Sequence, residues 1–235
     1  EANVQASFAL RAQNSTIWHV PEVYTATDRV IEMEYVEDAV NISRAVKHFK
    51  PEDPIAYRRD LANKFLFAVM SQIFIYQEVH GDLHPGNVMV DKDRRLHLID
   101  WGNTIQLAGK MGPVVRYLRG ALVADPDALT DSLIAISTDP EAAMARRAEI
   151  REALVRTLGK KDLKPLSYSF PWTLYLEGPE GWLKRANSLG ALMSNTQQLG
   201  LVVRNDYLHL SRSFIAMVAT LGNLYDGVPR YRALI

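Results

Sequence analysis

The stretch His80–Asn103, which reads HGDLHPGNVMVDKDRRLHLIDWGN, decides the fold. Two short apolar segments flank a charged turn at residues 92–95. Alternating and branched apolar residues favour strands, and charged residues favour an exposed turn. The stretch therefore predicts a β-hairpin, preceded by a polar loop with Asp82 and Asn87 and followed by a second acid, Asp100.

This order of polar residues suits phosphoryl transfer from a nucleotide. The reaction needs an acid at the nucleophile and oxygen ligands for Mg²⁺. Asp82 and Asn87 have the spacing of a kinase catalytic loop, and Asp100 with Trp101-Gly102 stands where kinases carry Asp-Phe-Gly. A single Asp before a turn most often only forms that turn. Three oxygen-bearing residues at this spacing predict Asp82 as catalytic and Asn87 and Asp100 as metal ligands.

Two histidines belong to the same loop. His84 follows Asp82 by two positions, where ordinary protein kinases carry a lysine that neutralises the transferred phosphoryl group. An imidazole can donate a hydrogen bond there or become cationic near a phosphate. The alternative is a structural hydrogen bond to the loop backbone. We predict His84 as a second catalytic residue and His80 as a brace for the loop.

The run HGDLHPGN with the later IDWG resembles two groups of atypical kinases. One comprises the aminoglycoside and choline phosphotransferases, and the other is the UbiB/AarF family of atypical kinases and ATPases, which is linked to ubiquinone biosynthesis. The flanking sequence resembles the second group. It has VPEVY at 20–24, VIEMEYV at 30–36 and a helical tail that lacks an Ala-Pro-Glu motif.

The UbiB/AarF resemblance implies a nucleotide site with ATP and Mg²⁺ as cofactors. Met33 would be the gatekeeper, and the Glu34 carbonyl and Val36 amide would face the edge of adenine. The alternative for this segment is an ordinary edge strand with a polar end. Asp82 and His84 would serve phosphoryl transfer.

The fold implied is α+β and predominantly helical, with a protein-kinase-like C-lobe and a truncated remnant of the N-lobe. Residues 1–38 would form the remnant, and residues 39–235 the C-lobe with catalytic loop 80–87 and Asp-Trp-Gly at 100–102. Apolar periodicity and cap residues predict helices. Their approximate ranges are 1–14, 41–49, 55–78, 113–123, 127–137, 140–158, 181–199 and 206–225.

Composition limits the partners and the location. The formal net charge is zero, with 27 basic and 27 acidic residues, so no strong field recruits nucleic acid. The absence of cysteine excludes disulfides and thiolate metal sites and fits a cytoplasmic protein. The most apolar run, 65–76, is too short to span a bilayer. We expect any membrane contact to be peripheral or through a protein partner. Aromatic residues in 160–182 either form such a surface or fold back onto the helices.

A Gly-rich nucleotide loop, a Lys-x-Gly-Gln motif and a strand with the phosphate-binding lysine are not recognisable in the chain. We therefore expect it to be the retained part of a longer protein, with weak binding of metal or nucleotide on its own. The expected activity is Mg²⁺-dependent ATP hydrolysis or phosphorylation of a small-molecule or lipid-linked substrate. Two alternatives remain open: an aminoglycoside- or choline-type phosphotransferase, and a non-catalytic pseudokinase that acts as an assembly subunit.

Overall fold

The computed structural model describes residues 1–123, 125–158 and 199–225. The chain divides into two compact units. The first comprises Glu1–Gln106 with Arg212–Ile235, and the second is Leu107–Ser211. The domain boundary predicted at residue 38 lies inside the first unit and stays a prediction.

The first unit contains a four-stranded sheet built around the predicted hairpin. Its strands, in spatial order, are β1 (Trp18–His19), β7 (Leu96–Leu98), β6 (Val88–Val90) and β4 (Val40–Asn41). β6 and β7 are antiparallel, which confirms the hairpin, and β1 runs parallel to β7. Five apolar side chains of the sheet are buried, and their removal from water stabilises the fold. They are Trp18, Val88, Val90, Leu96 and Leu98.

Two further strand pairs belong to this unit. β2 (Val23–Ala26) and β3 (Ile31–Met33) are antiparallel with an irregularity near Val23. β3 lies within the segment 30–36, whereas β2 shares only Val23 and Tyr24 with the segment 20–24 and continues to Ala26. β5 (Glu78–His80) and β8 (Thr104–Gln106) form the other antiparallel pair. This second pair was not predicted.

Three helices precede the hairpin: α1 (Ala2–Ala12), α2 (Ala45–Phe49) and α3 (Pro54–Ser71). α2 follows a 3₁₀ turn, Ile42–Arg44, whose N-cap is Asn41, as expected. The α3 N-terminus is fixed by Asp53, whose carboxylate accepts the N–H groups of the second and third residues of the helix. The buried face of α3 and the turn after it contains Leu61, Phe65, Val69 and Ile73.

The prediction of a helix up to Glu78 was wrong at its end. After Ser71 the chain makes a π-helical turn, Gln72–Tyr76. Gln77 then adopts a left-handed conformation with φ of 51°, which ends the helix. Glu78 belongs to β5 instead, because its backbone pairs with Gln106.

The second unit is helical in its described part. α4 (Met111–Val123), α5 (Pro126–Ile136), α6 (Pro140–Ala145) and α7 (Arg147–Leu158) follow one another. The single helix predicted for 140–158 is therefore two helices, because the backbone at Arg146 leaves the helical conformation. The predicted helix 181–199, apart from Leu199, and the aromatic segment 160–182 lie outside the described residues.

The last described helix, α8 (Asn205–Tyr225), contributes residues to both units and agrees with the helix predicted for 206–225. The mixed α/β character with small sheets is confirmed. None of the helices in the described ranges is long and apolar enough to cross a membrane.

Candidate functional site

Strand pairing brings the two predicted catalytic segments to one place. The loop 81–87 connects β5 to β6, and residues 99–103 connect β7 to β8. Because β5 pairs with β8 and β6 pairs with β7, both connections begin and end beside each other. The loop that carries Asp82 and the turn that carries Asp100 are therefore neighbours.

The start of the loop lies directly against the residue that follows Asp-Trp-Gly. The Gly81 N–H donates to the Asn103 carbonyl at 2.6 Å. A Cβ atom at position 81 would lie 2.7 Å from the Asn103 side-chain oxygen, so no larger residue fits there without displacing Asn103. Gly81 thus permits the close approach of the two segments.

His80 connects the same two segments through its ring. Its Nε2 donates to the Ile99 carbonyl at 3.0 Å, and its Nδ1 accepts the Asp82 N–H at 3.1 Å. The ring is buried, and burial lowers the pKa of His80 below its ordinary value. His80 is therefore neutral, with contacts consistent with the predicted role of a brace.

Asn87 is buried and is oriented by the loop it belongs to. Its side-chain Nδ2 donates to the Asp82 carbonyl at 2.9 Å. Its own carbonyl accepts the Ile99 N–H at 3.1 Å, which ties it to the segment before Asp100. The amide oxygen Oδ1 is the atom of this side chain that is left for a cation.

Asp100 and Trp101 are neighbours that differ in burial. Asp100 has φ of 65°, a left-handed conformation that is uncommon for a non-glycine residue and is found at functional sites. Its side chain is exposed, whereas Trp101 is buried and stacks on Phe8 of α1 with ring centroids 4.1 Å apart. The Trp101 indole N–H donates to the Leu98 carbonyl. The buried Trp101 thus fixes the position of an exposed Asp100.

The His84 ring folds over Gly86, two residues further along the loop. Its Nδ1 accepts the Gly86 N–H at 2.9 Å, so the neutral ring carries its proton on Nε2, which lies 3.8 Å from an Asp82 carboxylate oxygen. A Cβ atom at position 86 would lie 2.4 Å from the His84 ring, which explains the glycine. Both Asp82 and His84 are about half exposed, at 51% and 47% of their side chains. A substrate can therefore reach both groups.

A further carboxylate, which the sequence analysis did not assign, lies near Asp100. Glu1 Oε2 is 3.3 Å from the position that a Cβ atom on Gly102 would occupy, and Asp100 Oδ1 is 3.6 Å from that same point. Two acidic side chains therefore border the backbone of Gly102. Nothing in the local sequence signals this contact, because Glu1 and Gly102 are distant along the chain.

The predicted hinge residues begin at Met33, the last residue of β3. Met33 is half-buried, and its sulfur accepts from the buried Gln5 amide of α1 at 3.3 Å. The Glu34 N–H donates to the Glu22 carbonyl. Within the described part of the chain, the Glu34 carbonyl and the Val36 N–H make no hydrogen bond. These are the two groups that the resemblance assigns to adenine.

The Glu34 side chain links this segment to the hairpin through two histidines. His19 Nε2 lies 2.7 Å from the Glu34 carboxylate, and the His19 ring contacts the His97 ring edge-on at 5.2 Å between centroids. Burial raises the pKa of the Glu34 carboxyl, but hydrogen bonds from the Glu22 N–H and from His19 outweigh it and lower the pKa overall. His97 in turn contacts Asp91 at 2.9 Å. The contacts among Glu34, His19 and His97 were not predicted, since the three residues come from separate segments of the chain.

No group of three His, Asp or Glu side chains in the described residues is arranged to bind a metal ion. A Mg²⁺ site of the kind found with nucleotides uses only one or two protein ligands, and phosphate oxygens and water complete it. Asn87 Oδ1 and the exposed carboxylate of Asp100 fit that donor set in their chemistry. Their role as metal ligands stays a prediction.

A comparison with known protein families identifies the family of this chain. The model of the ABC1 atypical kinase-like domain matches residues 1–128 of this 235-residue chain, more than half of it. The chain belongs to the ABC1 atypical kinase-like family. The predicted UbiB/AarF-like relationship is thereby confirmed. The match includes the predicted hinge segment, the predicted catalytic loop and the Asp-Trp-Gly sequence of this ABC1 domain.

One solved structure similar to this ABC1 chain is the complex of Rv3197 with erythromycin from Mycobacterium tuberculosis. Sequence identity is 18% and the TM-score is 0.43, with 97% of this chain and 57% of that chain covered. The chain thus spans little more than half the length of that protein. No curated protein matches the chain significantly.

Proposed function

We propose that this ABC1 domain, within its full-length protein, binds Mg²⁺-ATP and transfers the terminal phosphoryl group to water or to a small-molecule or lipid-linked acceptor. One observation carries the proposal. Asn87 is hydrogen-bonded both to Asp82 and to the segment that presents Asp100. The three oxygen-bearing side chains therefore belong to one connected backbone arrangement.

The residues would divide the work as follows. Asp82 accepts a hydrogen bond from the attacking hydroxyl or water and orients it. Asn87 and Asp100 would hold the magnesium ion, which supplies positive charge at the phosphate oxygens. His84 donates from Nε2–H towards the phosphate region, since its Nδ1 already accepts from Gly86. The Glu34 carbonyl and the Val36 N–H bind the adenine edge, and Met33 borders it.

Substitution of Asp100 tests the proposal most directly. In the full-length protein, Asp100→Asn should lower Mg²⁺-dependent ATP turnover by roughly 100-fold or more, because it removes a charge aimed at the reacting group. Asp93→Asn is the matched control. Asp93 lies at the exposed far turn of the same hairpin, and its replacement should leave turnover unchanged. Equal turnover in the parent and in Asp100→Asn would contradict the metal role.

A binding measurement separates this proposal from the pseudokinase alternative. Mg²⁺-ATP should raise the Tm of the full-length protein, because a ligand that binds the folded state stabilises it by mass action. Asp100→Asn should reduce that increase. A parent protein without any Tm shift would favour a non-catalytic assembly subunit, whose contacts to protein partners or a membrane surface would then be its function.

The aminoglycoside- or choline-type alternative requires an acidic pocket for a cationic substrate. In the second unit, Asp127 and Asp131 are paired with Arg147, and Asp127 also with Arg151. These acids are thus already neutralised. Screening cationic amines and lipid-linked alcohols for ATP-dependent phosphorylation tests the acceptor class.

A further inference from the structure

Two buried hydroxyl groups on α8 contact the catalytic loop. Ser213 and Thr220 are seven residues apart, so they lie on the same face of the helix. Thr220 is fully buried and Ser213 nearly so. Both residues lie beyond residues 1–128, the part that the family model matches.

The two hydroxyls bond to loop carbonyls on either side of Asp82. Ser213 Oγ donates to the Gly81 carbonyl at 2.9 Å, and Thr220 Oγ1 donates to the Leu83 carbonyl at 2.7 Å. The carbonyl between them, that of Asp82, accepts from the Asn87 side chain. Three consecutive carbonyl groups of the loop therefore each accept a side-chain hydrogen bond.

This use of helical hydroxyls differs from their usual one. A Ser or Thr within a helix commonly donates to a carbonyl of the preceding turn of the same helix. Ser211, only two residues before Ser213, does so and donates to Leu208. Thr220 instead donates to Leu83, which is 137 residues away along the chain. The contact therefore serves the loop rather than the helix.

The helix that presents these hydroxyls is itself fixed in the first unit. Its apolar residues Met217, Leu221 and Leu224 are buried. The guanidinium group of Arg58 on α3 also donates to the Leu224 carbonyl. Ser213 and Thr220 are thus presented from a packed surface, which limits the movement of the loop carbonyls that they bind.

We propose that Ser213 and Thr220 are positioning residues, which hold the backbone on both sides of Asp82 and thereby keep its carboxylate within reach of the nucleophile. The proposal rests on the function proposed above. A carboxylate displaced by about 1 Å can lose much of its effect on rate, because catalysis depends on near-attack geometry. Within the described residues no hydrogen bond joins Met33, Glu34 or Val36 to α8, so we expect the removal of these hydroxyls to change adenine binding little.

The experiment measures kcat and KM for ATP in the full-length protein, with kcat normalised to the folded fraction. Thr220→Val keeps the shape of the side chain and removes its hydroxyl, and Ser213→Ala does the same for the other contact. Each should lower kcat roughly 10- to 100-fold with little change in KM. Thr220→Ser, which retains the hydroxyl, should keep most of the parental kcat. Ser211→Ala is the matched control and should behave like the parent.

The outcomes separate this inference from the proposed function. Parental kcat in the Thr220→Val and Ser213→Ala variants, together with an inactive Asp100→Asn, would overturn the positioning role and leave the proposed function standing. An equal loss of kcat in Thr220→Ser and Thr220→Val would also overturn it, because the hydroxyl would not matter. A parent protein without Asp100-dependent turnover would overturn both proposals. If Thr220→Val does not fold, the kcat values of Ser213→Ala and Thr220→Ser test the positioning role.

Discussion

The two compact units use polar side chains in different ways. In the first unit, His80, Asn87 and Thr220 are buried, and their side chains bond to backbone groups of the catalytic loop or of the segment beside it. In the second unit, Asp127 pairs with two arginines, and all three side chains are more than a third exposed. The three side chains of the first unit fix backbone segments from buried positions, whereas this cluster of charges in the second unit is partly in water.

The difference indicates which polar contacts determine the positions of the side chains in the candidate site. A buried donor or acceptor that loses its partner retains the full cost of its desolvation. An exposed ion pair exchanges hydration for a contact of similar free energy and contributes little. The position of Asp82 and Asp100 should therefore depend on neutral hydrogen bonds and apolar packing, and hardly on the charges of the second unit.

The largest expected effect on stability comes from Trp101. Trp101→Ala should lower the free energy of unfolding by about 3–5 kcal/mol, because it removes a buried ring that stacks on Phe8 and leaves a cavity. Denaturant unfolding measures this loss. Phe67→Ala is the control, since Phe67 is 52% exposed, and it should cost far less. Equal losses of unfolding free energy in the two variants would show that the buried Trp101 ring does not stabilise the first unit.

An intermediate effect is expected for His80, and it should depend on pH. His80→Gln should cost about 1–3 kcal/mol at neutral pH, because the Asp82 N–H and the Ile99 carbonyl lose well-aligned partners. Burial lowers the pKa of folded His80 below 6.5, so the unfolded state binds more protons. The stability contribution of the neutral ring is therefore complete above about pH 6.5 and is lost as the pH falls below it.

Unfolding measured between about pH 8 and about pH 5 checks this sign. The parent should lose stability over this range more steeply than His80→Gln. His48→Gln, at an exposed position of α2, should follow the parent curve. A parent curve no steeper than that of His80→Gln would contradict the assignment of a buried neutral imidazole.

The smallest effects separate two acids of the second unit. Asp125 accepts the N–H groups of Asp127 and Ala128 at the start of α5, and Asp125→Ala should cost about 1 kcal/mol because the helix end loses its cap. Asp131→Asn removes an exposed ion pair with Arg147, and its unfolding midpoint should stay close to that of the parent. If Asp131→Asn proved the more damaging variant, the distinction between backbone bonds and surface ion pairs would fail for this protein.

Local sequence was enough to predict much of the site. The hairpin followed from two apolar segments around a charged turn, and the starts of α5 and α6 followed from the Asp-Pro pairs at residues 125–126 and 139–140. The adjacency of the loop 81–87 and the turn 99–103 also followed, because the hairpin between them is short. In each case the residues that interact are close together in the chain.

Contacts between distant segments were not predictable in this way. Glu78 was the last residue of the predicted helix, and only pairing of its backbone with Gln106 made it part of a strand. Ser213 and Thr220 resemble any hydroxyl residue on a helix until the loop carbonyls are placed beside them. His19 and Glu34 meet because β1 lies next to the hairpin, and Glu1 reaches Gly102 through the packing of α1. Tertiary structure, and not local propensity, decided all four.

The hydroxyl contacts of α8 have a consequence for biosynthesis. Gly81 and Leu83 leave the ribosome early, but their partners Ser213 and Thr220 follow 132 and 137 residues later. At about 5–20 residues per second, the nascent loop therefore waits roughly 7–30 s for these bonds. During that interval a translating chain has its loop sequence but lacks the two hydroxyl donors, so the loop reaches its final geometry only after α8 has been synthesised.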